Sequence, residues 1–281
     1  SSGGTELYGI AAAGNIDILD ADVSIEVYPD YEEFVSTNQP VRLKAMNSFN
    51  GKLTIKNSDV RIIMKALKVP VEGEVALFID GADAIKGTML DIINSNVDIN
   101  MSSIASNMVH GLYSGSILID KSKVNINLSA CANVSGIVGY FDDRDFNGDV
   151  TIKNSEIDIN IYADTIFEAL EGKSAYIDAG IRGYSIAFEL DDDSYVAIET
   201  NEASPLVSTF FLGIDKAVPQ DDYVPQHLIL DDVNVSSDPY EINLDYYYVI
   251  DDEGTFKMKI ETMFVPKDYE HHITKVLITA K

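Results

Sequence analysis

Tryptophan is absent from this 281-residue chain, and cysteine occurs once, at Cys131. A single cysteine excludes an intrachain disulfide, so stability must come from a core. That suits a cytosolic protein and equally a secreted bacterial one. Basic residues are scarce: 20 Lys and Arg face 46 Asp and Glu, for a formal net charge of -26. Phosphate backbones are held by clustered Lys and Arg, so this balance excludes nucleic acid as a partner. It disfavours an anionic membrane surface for the same reason. No apolar run reaches the length that spans a bilayer, so membrane insertion is not expected. Ser1-Ser2-Gly3-Gly4 reads as a mature or trimmed end instead of a signal peptide. The four histidines, His110, His227, His271 and His272, show no metal-ligand spacing with one another. A G-x-S-x-G elbow, a P-loop and a dinucleotide fingerprint are all missing. Divalent cations and neutral sugars stay compatible with the charge.

What the chain does have is apolar material in a repeating order. A hydrophobic share of 46%, with 15 Tyr and 11 Phe, is ample for a large core and argues against disorder. One short pattern recurs: alternating apolar residues, a polar turn usually holding serine, then alternating apolar residues again. It covers 53–62, 90–99, 117–126 and 150–159. Ile16 to Ile25 is a further copy, with Ala21 in place of the serine. Phe188 to Ile198 is another, read with one extra turn residue, and Leu228 to Val235 is a degenerate end copy. Aligning Ala21, Ser58, Ser95, Ser122, Ser155 and Ser194 gives spacings of 37, 37, 27, 33 and 39. A tight local pattern on a loose period marks a structural unit joined by connections of variable length.

Period-2 alternation means strands with one buried face. Two such short strands cannot bury their faces alone, so successive copies must stack. The expected columns are Ile18, Ile55, Ile92, Ile119, Ile152 and Leu190, then Val23, Val60, Val97, Val124, Ile157 and Val196. A third strand per repeat is expected at 75–79, 111–113, 136–140 and 175–177. Glycines then open the next turn at Gly14, Gly51, Gly115, Gly148 and Gly183, where a positive φ or a close backbone approach is needed. Hairpin-rich propellers and sandwiches do not suit this order, and a leucine-rich signature is absent. The insertions 65–73, 162–174 and 199–208 would emerge along one edge, with a short helix at 164–172. Tyr246 to Ile250 and Phe256 to Phe264 read as an antiparallel hairpin, and Ile273 to Ala280 as a last strand. The expectation is therefore an all-β, right-handed parallel β-helix over 1–236, of six to seven three-strand coils. A C-terminal antiparallel cap or small β unit follows over 237–281.

The unit from Gly51 to Ile62, G-x-L-T-I-x-N-S-x-V-x-I, resembles a coil of the pectate-lyase-like superfold. Over about residues 5–236 the chain is most similar to the β-helical carbohydrate-binding and adhesin-like surface proteins of anaerobic bacteria. This resemblance implies an extracellular, secreted or cell-surface location and a polysaccharide or host-surface glycan as partner. It also implies calcium as a cofactor.

Several groups of residues fit such roles. Asp98 and Asn100, Asn125 and Asn127, and Asp158 and Asn160 occupy matching outward places in three successive copies. At a rise of about 4.8 Å per copy they would form a grid able to hold sugar hydroxyls or a hard cation. Read plainly, they are a solvated outer face. Asp143, Asp145, Asn147, Gly148 and Asp149 match the first half of a calcium loop, D-x-D-x-N-G. Asn154 stands where a bidentate Glu belongs, so an acidic turn without metal is the alternative. Asn57, Asn94 and Asn154 precede the turn serines and suit left-handed backbone. Tyr113, Tyr140, Phe141, Tyr176 and Tyr184 are candidate sugar platforms or core residues, and Tyr246, Tyr247 and Tyr248 must expose at least one ring. Cys131 reads as a small core residue. A lyase would need a carboxylate-held calcium beside a basic residue, and only Arg144 lies inside an acidic cluster. The sequence thus leans towards a non-catalytic glycan-binding or adhesive module. A polysaccharide lyase or hydrolase, and a stalk presenting loops to a protein partner, are the alternatives.

Overall fold

A computed structural model describes residues 5–28, 41–65, 79–104, 108–130, 134–139, 148–163, 177–183, 185–200, 210–212, 227–229, 233–238, 247–250, 256–259 and 275–281. Among the described residues the chain is all-β, with no helix. The apolar columns read from the sequence explain why. Their β-branched Ile and Val alternate with polar residues and pack well on a pleated surface.

Two parallel sheets carry the copies. Sheet A has two rows. The first row runs β1 (Thr5–Ala12), β4 (Val41–Ser48), β7 (Ile79–Ile93), β9 (Val109–Asp120), β11 (Val134–Gly139), β14 (Ile177–Gly183) and β17 (Phe210–Leu212). The second row holds β2 (Ile16–Leu19), β5 (Lys52–Lys56), the later halves of β7 and β9, β12 (Asp149–Lys153), β15 (Ser185–Glu189) and β18 (His227–Ile229). Sheet B stacks β3 (Asp22–Val27), β6 (Asp59–Lys65), β8 (Asn96–Ile104), β10 (Lys123–Ala130), β13 (Glu156–Ala163) and β16 (Tyr195–Thr200), all parallel. At its far end β22 (Lys275–Ala280) lies antiparallel between β16 and β19 (Val233–Asp238). A separate antiparallel pair joins β20 (Tyr247–Ile250) to β21 (Phe256–Lys259).

Each copy thus contributes its first strand to sheet A and its second to sheet B. Ile18, Ile55, Ile92, Ile119 and Ile152 are consecutive register partners, and the column ends on Phe188. The expected Leu190 is displaced from it. Two residues separate Lys153 from Glu156, whereas five separate Glu189 from Tyr195, so the sixth turn carries three extra residues and not one. Leu190 is left half-buried against the core instead. The valine column runs as read, from Val23 to Val196. Both columns belong to one continuous core.

Of the expected third strands, those at 111–113 and 136–140 begin two residues earlier, at Val109 and Val134, while 75–78, Tyr140 and 175–176 lie outside the described residues. β7 and β9 run unbroken into the next copy, so Gly115 lies inside a strand. Of the repeat glycines, Gly148 has positive φ, at 64°. Gly51 is instead a close approach: a Cβ there would sit 2.4 Å from the carbonyl carbon of Gly14. The end copy is divided. Leu228 stacks on Ile186, but β22 stands between its second strand and β16. The short helix over 164–172 and Cys131 lie outside the described residues.

The turn between the two strands of a copy is held by side chains. Asp20, Asn57, Asn94, Lys121 and Asn154 all have φ of 43–51°, the left-handed region that Asn and Asp tolerate best. The amide of Asn94 donates to Asn57 and that of Asn57 to Asp20, each at 2.9 Å. Beside them the serines form a buried ladder. The backbone N–H groups of Ala21, Ser58, Ser95 and Ser122 donate to the hydroxyls of Ser58, Ser95, Ser122 and Ser155, each at 3.1 Å. Each hydroxyl in turn donates to the carbonyl two residues before it, at 2.6–2.8 Å. Ala21 needs no hydroxyl, because no described copy precedes it. The ladder satisfies polar groups that burial would otherwise leave without partners.

Candidate functional site

Sheet B presents its polar face to solvent. Parallel register carries Asp98, Asn125 and Asp158 into one row and Asn100, Asn127 and Asn160 into the next. All six predicted grid residues are therefore brought together, and all are half-buried. They bond to one another. Asn125 donates to Asp98 (3.3 Å), Asn127 to Asn100 (3.1 Å) and Asn160 to Asn127 (3.0 Å) across the strands. Along the strands Asn100 donates to Asp98 (3.0 Å) and Asn127 to Asn125 (3.2 Å). The Tyr195 hydroxyl donates to Asp158 at 2.8 Å. Partial burial, and then this bond to a carboxylate, push the Tyr195 hydroxyl up to about 12.

Towards β3 the face opens into a shallow groove of about 520 Å³. Asp59, Arg61, Asn96, Asp98 and Asn125 line it. Asn96 donates to Asp59 at 2.6 Å, while the Arg61 side chain is 63% exposed and 3.9 Å from Asp98. At this rim the lattice is less closed on itself. Asp22, Ser24 and Asp59 are exposed.

The half-loop for calcium is only partly visible. Asp143, Asp145 and Asn147, with Arg144, lie outside the described residues, and Asp149 opens β12 opposite Ser185. Among the described residues no cluster of three or more His, Cys, Asp or Glu is arranged to hold a metal ion. Tyr140, Phe141, Tyr176, Tyr184, Tyr246, His271 and His272 also lie outside the described residues.

The outer side of the first row of sheet A carries a second polar group, which the sequence reading passed over. Ladder pairing there skips Gly9, Ala45, Ala84, Gly111 and Gly136. The three glycines face isoleucines of sheet B, and a Cβ on Gly111 would lie 2.7 Å from the Ile126 side chain. The skip breaks strand alternation, so residues three apart share the outer side. Register then lines up Tyr8, Lys44, Asp83, His110 and Ser135 in one row, with Asn47, Lys86, Tyr113 and Val138 in the next.

His110 Nδ1 is 2.8 Å from Asp83 Oδ1, and Asp83 is only 8% exposed. Burial alone would push the Asp83 carboxyl up. The hydrogen bond from His110, and the charges of His110, Lys86 and Lys44, together hold it below the usual carboxylate value. An ionised Asp83 can only accept, so Nδ1 is the donor. The His110 ring lies 4.9 Å from that of Tyr113, and Lys86 Nζ sits 4.4 Å above the Tyr113 ring. Lys44, 7% exposed, pairs with Glu6 at 3.3 Å. The signal for this group was present: the 27-residue offset that aligns Ser95 with Ser122 also aligns Asp83 with His110.

Comparison with protein-family models, with curated proteins and with solved structures finds no match to this chain.

Proposed function

We propose that the chain is a right-handed parallel β-helix with a C-terminal antiparallel cap, exported to the cell surface or the medium. There it binds a polysaccharide or surface glycan without catalysis. The observation that carries this reading is the groove on sheet B, continuous with a lattice of carboxylates and amides repeated copy after copy. Such a lattice offers donors and acceptors at one rise of about 4.8 Å, which suits a periodic, hydroxyl-rich chain. A net charge of -26 disfavours a polyanion and leaves a neutral glycan as the preferred ligand. Calcium is the accompanying cofactor, held at Asp143, Asp145, Asn147 and Asp149. A glycan array with the full chain tests the reading, and Asn125→Ala with Asn127→Ala is expected to weaken any signal at least several-fold. Calorimetric titration with calcium tests the metal, and no heat and no rise in melting temperature would remove it.

A stalk that presents loops to a protein partner is the second reading. It is favoured by the mutual hydrogen bonding of Asn100, Asn125, Asn127 and Asn160, which already satisfies much of the lattice. An array without any sugar-dependent signal would select the stalk.

A further inference from the structure

Sheet B ends on β3, which has a neighbour on one side only among the described residues. The N–H of Asp59 donates to the carbonyl of Ala21 at 3.0 Å, so in this parallel ladder the backbone groups of Val23 and Ile25 turn towards β6. Those of Asp22, Ser24 and Glu26 turn to the open edge, and the side chains of all three are exposed. The apolar column is open at the same end. Val23 is half-buried, whereas the next members of its column, Val60 and Val97, are buried. An unpaired strand of this kind is a template for a further strand. β1 and β2 end the two rows of sheet A on the same side, but β2 has 4 residues and the pairing of β1 skips Gly9. β3 offers 6 residues that alternate without a break.

Charge and ladder chemistry select what pairs there. Arg42 is the first basic residue of the chain, so β1, β2, β3 and the turns between them hold Glu6, Asp17, Asp20, Asp22 and Glu26 and no cation. Lys44 answers Glu6 alone. Asp22 stands in register beside Asp59, and like charges side by side across strands repel. Arg61, in the next copy, is 3.9 Å from Asp98, on the side of β6 away from β3. At the turn the amide series from Asn94 through Asn57 ends on Asp20, a carboxylate that can only accept. The serine series ends on Ala21, which has no hydroxyl to offer an incoming N–H. A further copy of this chain's own repeat therefore finds no ladder to join, and a second whole chain brings a net charge of -26 with it. We propose that the β3 edge docks an extended segment of a basic protein partner, which adds a strand to sheet B with Lys or Arg beside Asp22 and Glu26 and apolar side chains over Val23, Ile25 and Val27. The inference stands apart from the carbohydrate reading and does not depend on it.

Fluorescence anisotropy of the full chain with a labelled peptide, Lys-Val-Lys-Ile-Lys-Val, tests it. Its scramble, Lys-Lys-Lys-Val-Ile-Val, has the same charge without the alternation and should bind about tenfold more weakly or worse. Asp22→Lys with Glu26→Lys should weaken the alternating peptide by at least about tenfold. Asp192→Lys with Asp193→Lys changes the net charge equally at an exposed turn remote from β3, and should leave the affinity within about twofold. Hydrogen exchange on the parent chain reads the strand itself and serves if the β3 variant folds poorly. Bound peptide should slow the amides of Ser24 and Glu26 by about tenfold or more and leave that of Ile25, which already faces β6, unchanged. Absence of binding overturns the inference, as does equal affinity for the scramble or unprotected Ser24 and Glu26 amides. Equal losses in the two lysine pairs also overturn it, since the peptide is then drawn by overall charge and the acidic edge only keeps strands apart. A parent chain that sediments as a dimer, with those amides protected before any peptide is added, would put a second copy on the edge and remove the basic partner.

Discussion

Replacing Ser122 with alanine isolates the device that holds one copy on the next. Its hydroxyl accepts the N–H of Ser95 at 3.1 Å and donates to the carbonyl of Asp120 at 2.8 Å. Both serines are buried, at 4–5% exposure. Alanine leaves the Ser95 N–H without its acceptor, at a cost of about 1–3 kcal/mol, and removes a second bond worth about 1 kcal/mol. The sum is roughly 2–4 kcal/mol, with no change in apolar volume to blur it. For a chain of this size that is a melting temperature lower by roughly 3–7 °C. Ser58→Ala is the internal comparison. It strands the N–H of Ala21, which is only half-buried and at the end of the stack. Water can reach that group, so the loss should be smaller, about 1 kcal/mol. Thermal and urea unfolding followed by circular dichroism measure both variants. Equal melting temperatures for Ser122→Ala and the parent would refute the reasoning, as would a larger loss at Ser58.

Asn94 has φ of 47°, so Asn94→Ala should cost roughly 1–2 kcal/mol while Asn94→Gly stays closer to the parent, as read from urea midpoints. A Cβ on Gly111 would meet the Gly136 carbonyl oxygen and the Ile126 side chain, both at 2.7 Å. Gly111→Ala should therefore cost about 1–3 kcal/mol by overpacking. Gly14→Ala meets nothing within 4 Å and should stay within about 0.5 kcal/mol, which thermal unfolding of the pair checks. Asp83 has a folded value below its unfolded 3.8, so its contribution is present above that value and is lost as pH falls through the folded one. Asp83→Asn should flatten the acid limb of a stability-against-pH curve below about pH 4 and leave its shape at neutral pH unchanged. An unaltered acid limb would show that Asp83 is not coupled to folding.

The columns were legible because they depend on alternation alone. Each of Ile55, Ile92, Ile119 and Ile152 sits at the same offset from a turn serine, and parallel pairing preserves that offset from strand to strand. The same logic placed Asp98, Asn125 and Asp158 in one row. It failed at Leu190, because counting back from Ser194 assumes a turn of constant length, and the Asp191 to Ser194 turn is longer. The third strands were harder to place, since the skipped residues at Ala84 and Gly111 break the period that marks a strand. The pairing of His110 with Asp83 was not legible because the two lie 27 residues apart. Only after two copies are set in register do such residues become neighbours.

Local pattern by itself determined the all-β character, the turn chemistry at Asn57, Asn94 and Asn154, and which side of each strand is apolar. These follow from the chain's own stereochemistry and from burial of one face. Tertiary structure alone decided that the serines form a ladder, that the outward amides satisfy one another, and that Asp83, His110 and Ser135 share a face. Those facts depend on which strand lies beside which, and neighbours across a sheet are set by the lengths of connections whose course no local period records.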